Sequence, residues 1–243
     1  MQLIASIIAG YILIAAIGMA MANKKVAPKI AQQRWLKFGT YLLITATVLI
    51  SILLNHFFIV GFIITGFGYY ELVCTISVHK QAAYIALLFF TIFSSGFLFF
   101  AFSAPYPFQF FLYFQVLTFD AFGQITGQLI GKTPMAPRIS PAKTWEGFLG
   151  GTLFCVLTAM VTADWLGINS LLATLLGLFT SVTSLIGDLL ASSYKRITGI
   201  KDYSNLLKGQ GGFLDRFDSF IMTGFWYAIV YIVTGNWVGS FLK

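Results

Sequence analysis

Apolar runs of about twenty residues, each closed by a short polar or basic stretch, follow one another along almost the whole chain. A helix rises about 1.5 Å per residue, so about twenty such residues cross a hydrocarbon core of about 30 Å. Eight runs qualify, at roughly 3–22, 36–54, 57–78, 82–102, 107–131, 147–163, 170–190 and 220–238. The fifth is the most polar and the sixth is short. The pattern predicts an all-α fold, a polytopic transmembrane helix bundle of about eight spans. The run at 3–22 has no basic residue before it, is too long for a signal-peptide core and lacks a clear small-residue cleavage pattern, so it reads as a retained span. No internal repeat or low-complexity stretch interrupts the series. The expectation is one integral membrane domain, 1–243, with N-terminal spans over 1–102. The second part, 103–243, holds most of the charges and two long polar loops, 132–146 and 191–219.

Composition agrees with the pattern. Charged residues make up 9% of the chain, against about 25% in soluble domains. Hydrophobic residues make up 58%, with 26 Phe among them. The net charge of +7 is therefore a matter of sidedness and not a sign of nucleic-acid binding. With eight spans, every one of the 15 Lys and Arg except Lys243 falls on the same face. Lys and Arg favour cytoplasmic loops, which places the long loops in the cytoplasm and both termini outside. The outer connections, 55–56, 103–108 and 163–169, are short and carry nothing suited to chemistry. Cys74 and Cys155 lie in apolar segments as small buried hydrophobes, and no Cys or His spacing suggests zinc. His56 and His79 fall at short turns between spans.

The acidic residues carry the candidate chemistry. Glu71, Asp120 and Asp188 fall inside spans, where an ionisable group is costly and usually faces a cavity or a partner. A structural ion pair or a capped helix end is the alternative, above all for Glu71. The stretch GQGGFLDRFDS, 209–219, sets Asp215 and Asp218 three apart. If a helix begins near Phe213, both carboxylates share one face of its first turn. Carboxylates there suit Mg²⁺, and the backbone N–H groups of Gly211 and Gly212 suit phosphate oxygens. An elaborate helix cap is the competing explanation. Lys195, Arg196, Lys201, Lys208 and Arg216 are placed to grip phosphates. The other loop, RISPAKTWEG, offers Ser140-Pro141 as a rigid turn, with Lys143 and Thr144 as phosphate donors; Trp145 suits the headgroup level.

The stretch SSYKRITGIKDYSNLLKGQGGFLDRFDS resembles the signature of the phosphatidate cytidylyltransferase (CDP-diacylglycerol synthase) family. That signature runs Ser, two residues, Lys-Arg, four residues, Lys-Asp, then Gly-His-Gly-Gly and a hydrophobic-Asp-Arg-x-Asp end. It is met by Ser192, Lys195, Arg196, Lys201, Asp202, Gly209, Gly211, Gly212, Asp215, Arg216 and Asp218. SPAKTWEG is similar to a second family block, and Asp120 and Gly187-Asp188 fall where the family has its Asp and Gly-Asp-Leu elements. The resemblance covers roughly 115–220. Four positions depart from it: Gln210 stands for the family's His, Lys208 for a Pro, Ala191 for a Glu and Gln124 for an aromatic.

The resemblance implies transfer of a cytidylyl group from CTP to phosphatidate, a membrane lipid phosphate, giving CDP-diacylglycerol and pyrophosphate in phospholipid biosynthesis. It implies Mg²⁺ held or oriented by Asp120, Asp188, Asp215 and Asp218, and leaves room for a second, monovalent cation and for a homodimer. Lys195 and Arg196 join the carboxylates as catalytic residues. Ser140, Lys143, Thr144, Ser192, Lys201, Asp202, Gly211, Gly212 and Arg216 are implied to bind substrate, with acyl chains entering sideways from the bilayer. The expected setting is a multi-pass protein of the bacterial plasma membrane with 103–243 as its catalytic half. The alternatives are a lipid-alcohol kinase of polyprenol or phytol type, a paralogue acting on another lipid phosphate, and an ion-coupled transporter. The crowding of polar groups on one face argues against the last.

Overall fold

The computed structural model describes residues 10, 13, 16, 20, 23, 27–207 and 211–233. The expected span at 3–22 lies outside the described residues for the most part, as do Lys208, Gly209 and Gln210. Two compact units divide the chain, Met1–Val48 and Leu49–Lys243. Helix α1 (Pro28–Leu53) starts earlier than its apolar run, because nothing between Pro28 and the run breaks a helix.

The described residues of the second unit are mostly helical. Helix α2 (Phe57–Cys74) ends in a 3₁₀ turn, Thr75–Ser77, and is followed by α3 (Lys80–Ser103), α4 (Tyr106–Ile130), α5 (Trp145–Leu166), α6 (Ser170–Ile197) and α7 (Leu214–Val233). The chain itself marks the ends. His79 Nδ1 accepts the Ala82 N–H at 3.3 Å to start α3, and Asn169 Oδ1 accepts that of Leu172 at 2.8 Å to start α6. Helix α6 overruns its apolar run by two turns and closes at Gly199, whose φ of 71° is left-handed. The Gly199 N–H reaches Arg196 O and the Ile200 N–H reaches Lys195 O, the bonding of a Schellman end. Ser192, Lys195 and Arg196 are therefore helical residues, not part of a loop running from 191 as expected.

Among the described residues five segments are long and apolar enough to cross a membrane: Pro28–Leu53, Phe57–Ser77, Lys80–Ser103, Trp145–Leu166 and Ser170–Ile197. This is an all-α integral membrane bundle, as the apolar runs predict. Helices α4, of 25 residues, and α7, of 20, are less apolar, and they take the interior. Helix α4 packs on α5, α6 and α7, and α7 packs on α2, α3, α4 and α6. Phe57, Phe97, Phe108, Phe220 and Tyr227 fill the middle, with the Phe97 and Phe220 rings 5.1 Å apart edge to face. Hydroxyls join helices within the bundle: Thr180 meets Tyr227 at 2.7 Å and Ser184 meets Thr223 at 3.1 Å.

Small residues let α4 and α5 touch backbone to backbone. Gly123 and Gly127 on α4 meet Gly147 and Gly151 on α5, each pair spaced by four. A Cβ at Gly147 would lie 2.8 Å from Gly123 O, and one at Gly151 would lie 2.8 Å from Phe119 O.

The loop expected over 132–146 is a two-stranded antiparallel hairpin, β1 (Pro134–Ala136) and β2 (Ser140–Thr144). Pro141 lies inside β2 instead of forming a turn with Ser140. A two-stranded sheet consists only of edges, where Pro leaves no ladder bond unmade. The turn falls at 137–139.

Candidate active site

Gly187 sets how closely α6 and α7 approach. A Cβ there would lie 2.7 Å from Met222 Cβ, 3.0 Å from Ser219 Cα and 3.1 Å from Asp218 O. Without a side chain at this level the two helices bring their carboxylates into one neighbourhood. Asp188 pairs with Lys143, which reaches it from β2, and accepts the Ser192 Oγ–H at 3.1 Å. Asp218 Oδ1 accepts the Ser219 N–H at 2.7 Å. The Ser219 hydroxyl stands 3.3 Å from Asp120 Oδ2 and 3.4 Å from Asp218 Oδ1, so α4 and α7 converge on one oxygen. Asp120 and Asp218 both feel the charge of Asp188, and Lys143 and Arg216 act on Asp120. Asp120 is exposed, yet protein atoms crowd around it, the condition of a group on the wall of a cleft.

Three hard oxygen donors that repel one another in an accessible cleft suit a divalent cation. Among the described residues no three His, Cys, Asp or Glu side chains form a finished metal cage. Mg²⁺ does not require one, since it keeps waters and binds through one or two carboxylates plus substrate phosphates. One or two of Asp120, Asp188 and Asp218, together with substrate phosphates, are the oxygens such an ion would use.

Asp215 stands in a different setting. Its Oδ1 accepts Lys195 Nζ at 2.6 Å, and its Oδ2 accepts the N–H groups of Tyr203 at 2.9 Å and Gly212 at 2.8 Å. Only 4% of the Asp215 side chain and 10% of that of Lys195 are exposed. Lys195 also lies 5.3 Å from the centre of the Tyr203 ring, which stacks on Tyr194. Burial, with Asp218 and Asp215 adding to it, pushes the Tyr203 phenol well above its ordinary range, so the ring stays neutral. Both Asp215 oxygens thus bond the protein's own groups, at a residue of which a metal role was expected. Lys195 is held by the same bond.

The glycine loop is also used differently from the expectation. The Gly212 N–H goes to Asp215, and those of Phe213 and Leu214 go to Glu71 at 2.8 and 2.7 Å. The anion that the start of α7 attracts is supplied by the protein's own carboxylates, which occupy these three amides where phosphate was expected. Gly211 has a φ of 87°, and a Cβ on it would come within 3.0 Å of Asp215 Oδ2 and 3.2 Å of Asp202 Oδ1.

The hairpin is fastened at both ends. Glu146 accepts the Lys132 N–H at 3.2 Å and the Thr133 Oγ1–H at 2.9 Å. Thr144 Oγ1 caps α5 by accepting the Gly147 N–H at 3.1 Å, so its oxygen serves the helix. Arg196 Nε donates to Ile139 O at 3.0 Å, tying α6 to the hairpin turn. Ser140 is half-buried on β2, while Lys201, Asp202 and Arg216 are exposed.

Beside the carboxylates lies a cavity of about 520 Å³ between α3, α6 and α7. Phe89, Phe90, Phe93, Leu190, Ile221 and Met222 give it apolar walls, and Asp218 and Tyr203 line it too.

A model described as the Cytidylyltransferase family matches residues 1–234. This chain belongs to that family. It is 45% identical over 108 residues to the phosphatidate cytidylyltransferase of Mycobacterium bovis, covering 44% of this chain and 35% of that protein. The Aquifex aeolicus phosphatidate cytidylyltransferase is 45% identical over 104 residues, 43% of this chain and 39% of that protein. An uncharacterized Escherichia coli protein, YnbB, is 39% identical over 108 residues, 43% of this chain and 36% of that protein. The matched stretch spans little more than a third of the length of these curated relatives.

Of the residues singled out in the sequence, this family member brings Asp120, Asp188, Asp218, Lys143 and Ser192 together. Lys195, Asp215 and Gly212 form a second cluster beside them. Sequence reasoning passed over Ser219 and Tyr203. Ser219 adjoins Asp218 in the sequence, and that adjacency was its only signal, since Asp120 reaches it from another helix. Tyr203 carries no signal in the sequence, because its role arises from packing on Lys195.

Proposed function

We propose that this chain transfers a cytidylyl group from CTP to phosphatidate, yielding CDP-diacylglycerol and pyrophosphate, at the cytoplasmic face of the bacterial plasma membrane. One observation carries the reading: Asp218 belongs both to the carboxylate cleft and to the wall of the apolar cavity. A reaction between a lipid phosphate and a nucleotide needs that meeting of an oily compartment with a charged one. The phosphatidate relatives support the choice of lipid and nucleotide.

An oxygen of the lipid phosphate attacks the α-phosphorus of CTP. The new P–O bond forms as the bond from that phosphorus to the β-bridging oxygen breaks, and pyrophosphate leaves with that electron pair. Two anions must meet, so the barrier is largely electrostatic. One or two of Asp120, Asp188 and Asp218 would hold Mg²⁺, which when bound offsets the triphosphate charge. Lys143 reaches the same cleft and, with Arg216, Arg196 and Lys201, meets phosphate oxygens. Ser140 and Ser192 orient groups at the rim. The acyl chains lie along the cavity between α3 and α6. Lys195 and Asp215 tie the end of α6 to Tyr203 and to the start of α7.

Purified protein in lipid discs, given Mg²⁺, phosphatidate and CTP labelled at the α-phosphate, is expected to release pyrophosphate and move label into lipid in equal amounts. CDP or ADP released together with a phosphorylated lipid alcohol would replace this reading with that of a kinase.

A further inference from the structure

Glu71 takes no part in the cleft, yet it is fully buried on α2, and among the described residues its bonds go to Ser204, Phe213 and Leu214, at the approach to α7 and its first residue. Its Oε1 accepts the Ser204 hydroxyl and the Phe213 N–H at 2.8 Å, and its Oε2 accepts the Leu214 N–H at 2.7 Å. Leu214 opens α7, so a carboxylate from another helix does here what an N-cap residue does from within the chain. Gly212 is shaped to it, since a Cβ there would lie 2.6 Å from Glu71 Oε1. One turn earlier on α2, the Phe67 ring stacks on Phe213 at 4.9 Å. The same short piece of α2 thus grips the segment by charge and by an aromatic face.

We infer that Glu71 is the positioning residue of the site. By fixing the amides of Phe213 and Leu214, where α7 begins, it sets the rotation and height of that helix. The helix in turn presents Asp215 to Lys195, and Asp218 with Ser219 to Asp120 and Asp188. The catalytic half of the inference rests on the proposed cytidylyl transfer; the placement half does not.

Glu71→Gln keeps the size of the side chain but sets an NH₂ group against backbone donors, so one amide loses its acceptor. The Phe67–Phe213 stack remains to hold the fold. Hydrogen–deuterium exchange read at Phe213 and Leu214 is expected to speed up by about tenfold or more, with exchange in α3 unchanged. In the transfer assay kcat is expected to fall by about tenfold or more, with KM for CTP within about twofold. Glu71→Asp, which keeps the charge, should recover part of that kcat. Should Glu71→Gln fail to fold, Ser204→Ala removes one donor to Oε1 and is expected to disturb exchange at Phe213 more than at Leu214. Wild-type exchange at both amides in either variant overturns the inference. So does a uniform rise across the bundle, which marks a merely structural group, or a higher KM with kcat kept, which marks a ligand contact. Wild-type protein that makes no CDP-lipid would sink the functional reading, while the exchange data still decide whether Glu71 places α7.

Discussion

Replacing Asp215 by Asn separates a folding role from a metal-binding one. The Lys195–Asp215 pair is almost sealed from water, with 10% and 4% of the two side chains exposed. Removing one partner of a buried pair costs about 3–5 kcal/mol, mostly through the stranded charge. Asn keeps a carbonyl for the Tyr203 or Gly212 N–H, and the stranded Lys195 still has the Tyr203 ring, 5.3 Å away, as a partner. The loss therefore falls at the low end, about 3 kcal/mol. For a chain of this length that corresponds to a Tm lower by about 6–12 °C. Lys195→Met alone should cost a similar amount. The double variant strands no charge and should recover about 1.5 kcal/mol or more of the summed loss. Tryptophan fluorescence during heating of the detergent-solubilised protein reads all four proteins. If the two drops simply add, within about 0.5 kcal/mol, the pair does not act as a unit and the reasoning fails.

The other two predictions concern the cleft. Gly187→Ala drives a methyl to 2.7 Å from Met222 Cβ and forces α7 away from α6, separating Asp188 from Asp218. kcat/KM for cytidylyl transfer should fall by about tenfold or more, equivalent to about 1.4 kcal/mol of barrier; unchanged kinetics would show that the helix spacing is not critical. Asp120→Asn and Asp218→Asn should each raise the Mg²⁺ concentration for half-maximal rate by about tenfold, whereas Asp215→Asn should move it by less than about twofold. A larger shift from Asp215→Asn than from the other two would return Asp215 to the metal.

The apolar runs fix the helices well because a bilayer leaves the backbone few other options. They place ends poorly. Helix α6 passes 190 because nothing breaks it before Gly199, and hydropathy does not register a helix that continues into water. The hairpin at 134–144 escapes notice because its two strands, of 3 and 5 residues, are too short to show alternation. Asp120 and Asp188 stood out because a charge in a span is conspicuous, and Asp218 because it shares the glycine-led stretch 209–219 with Asp215. Their partition from Asp215 did not, since Asp215 and Asp218 are three apart and share a helix. What divides them is Lys195, Tyr203 and Gly212 on one side and Ser219 on the other. The roles of Gly212, Phe213 and Leu214 were equally hidden, because the competing anion, Glu71, comes from a distant helix.

The bare crossing of α4 and α5 bears on how finely the charges are spaced. Asp120 lies just before Gly123 on α4, and Lys143 lies just before the start of α5, four residues ahead of Gly147. Between those two glycines there is only main chain, with a Cβ on Gly147 excluded at 2.8 Å from Gly123 O. A spacer made of side chains can breathe as rotamers flip, but one made of two backbones in contact has almost no play. The crossing thus fixes the backbones that carry Asp120 and Lys143, and leaves the play between acid and amine to those two side chains alone.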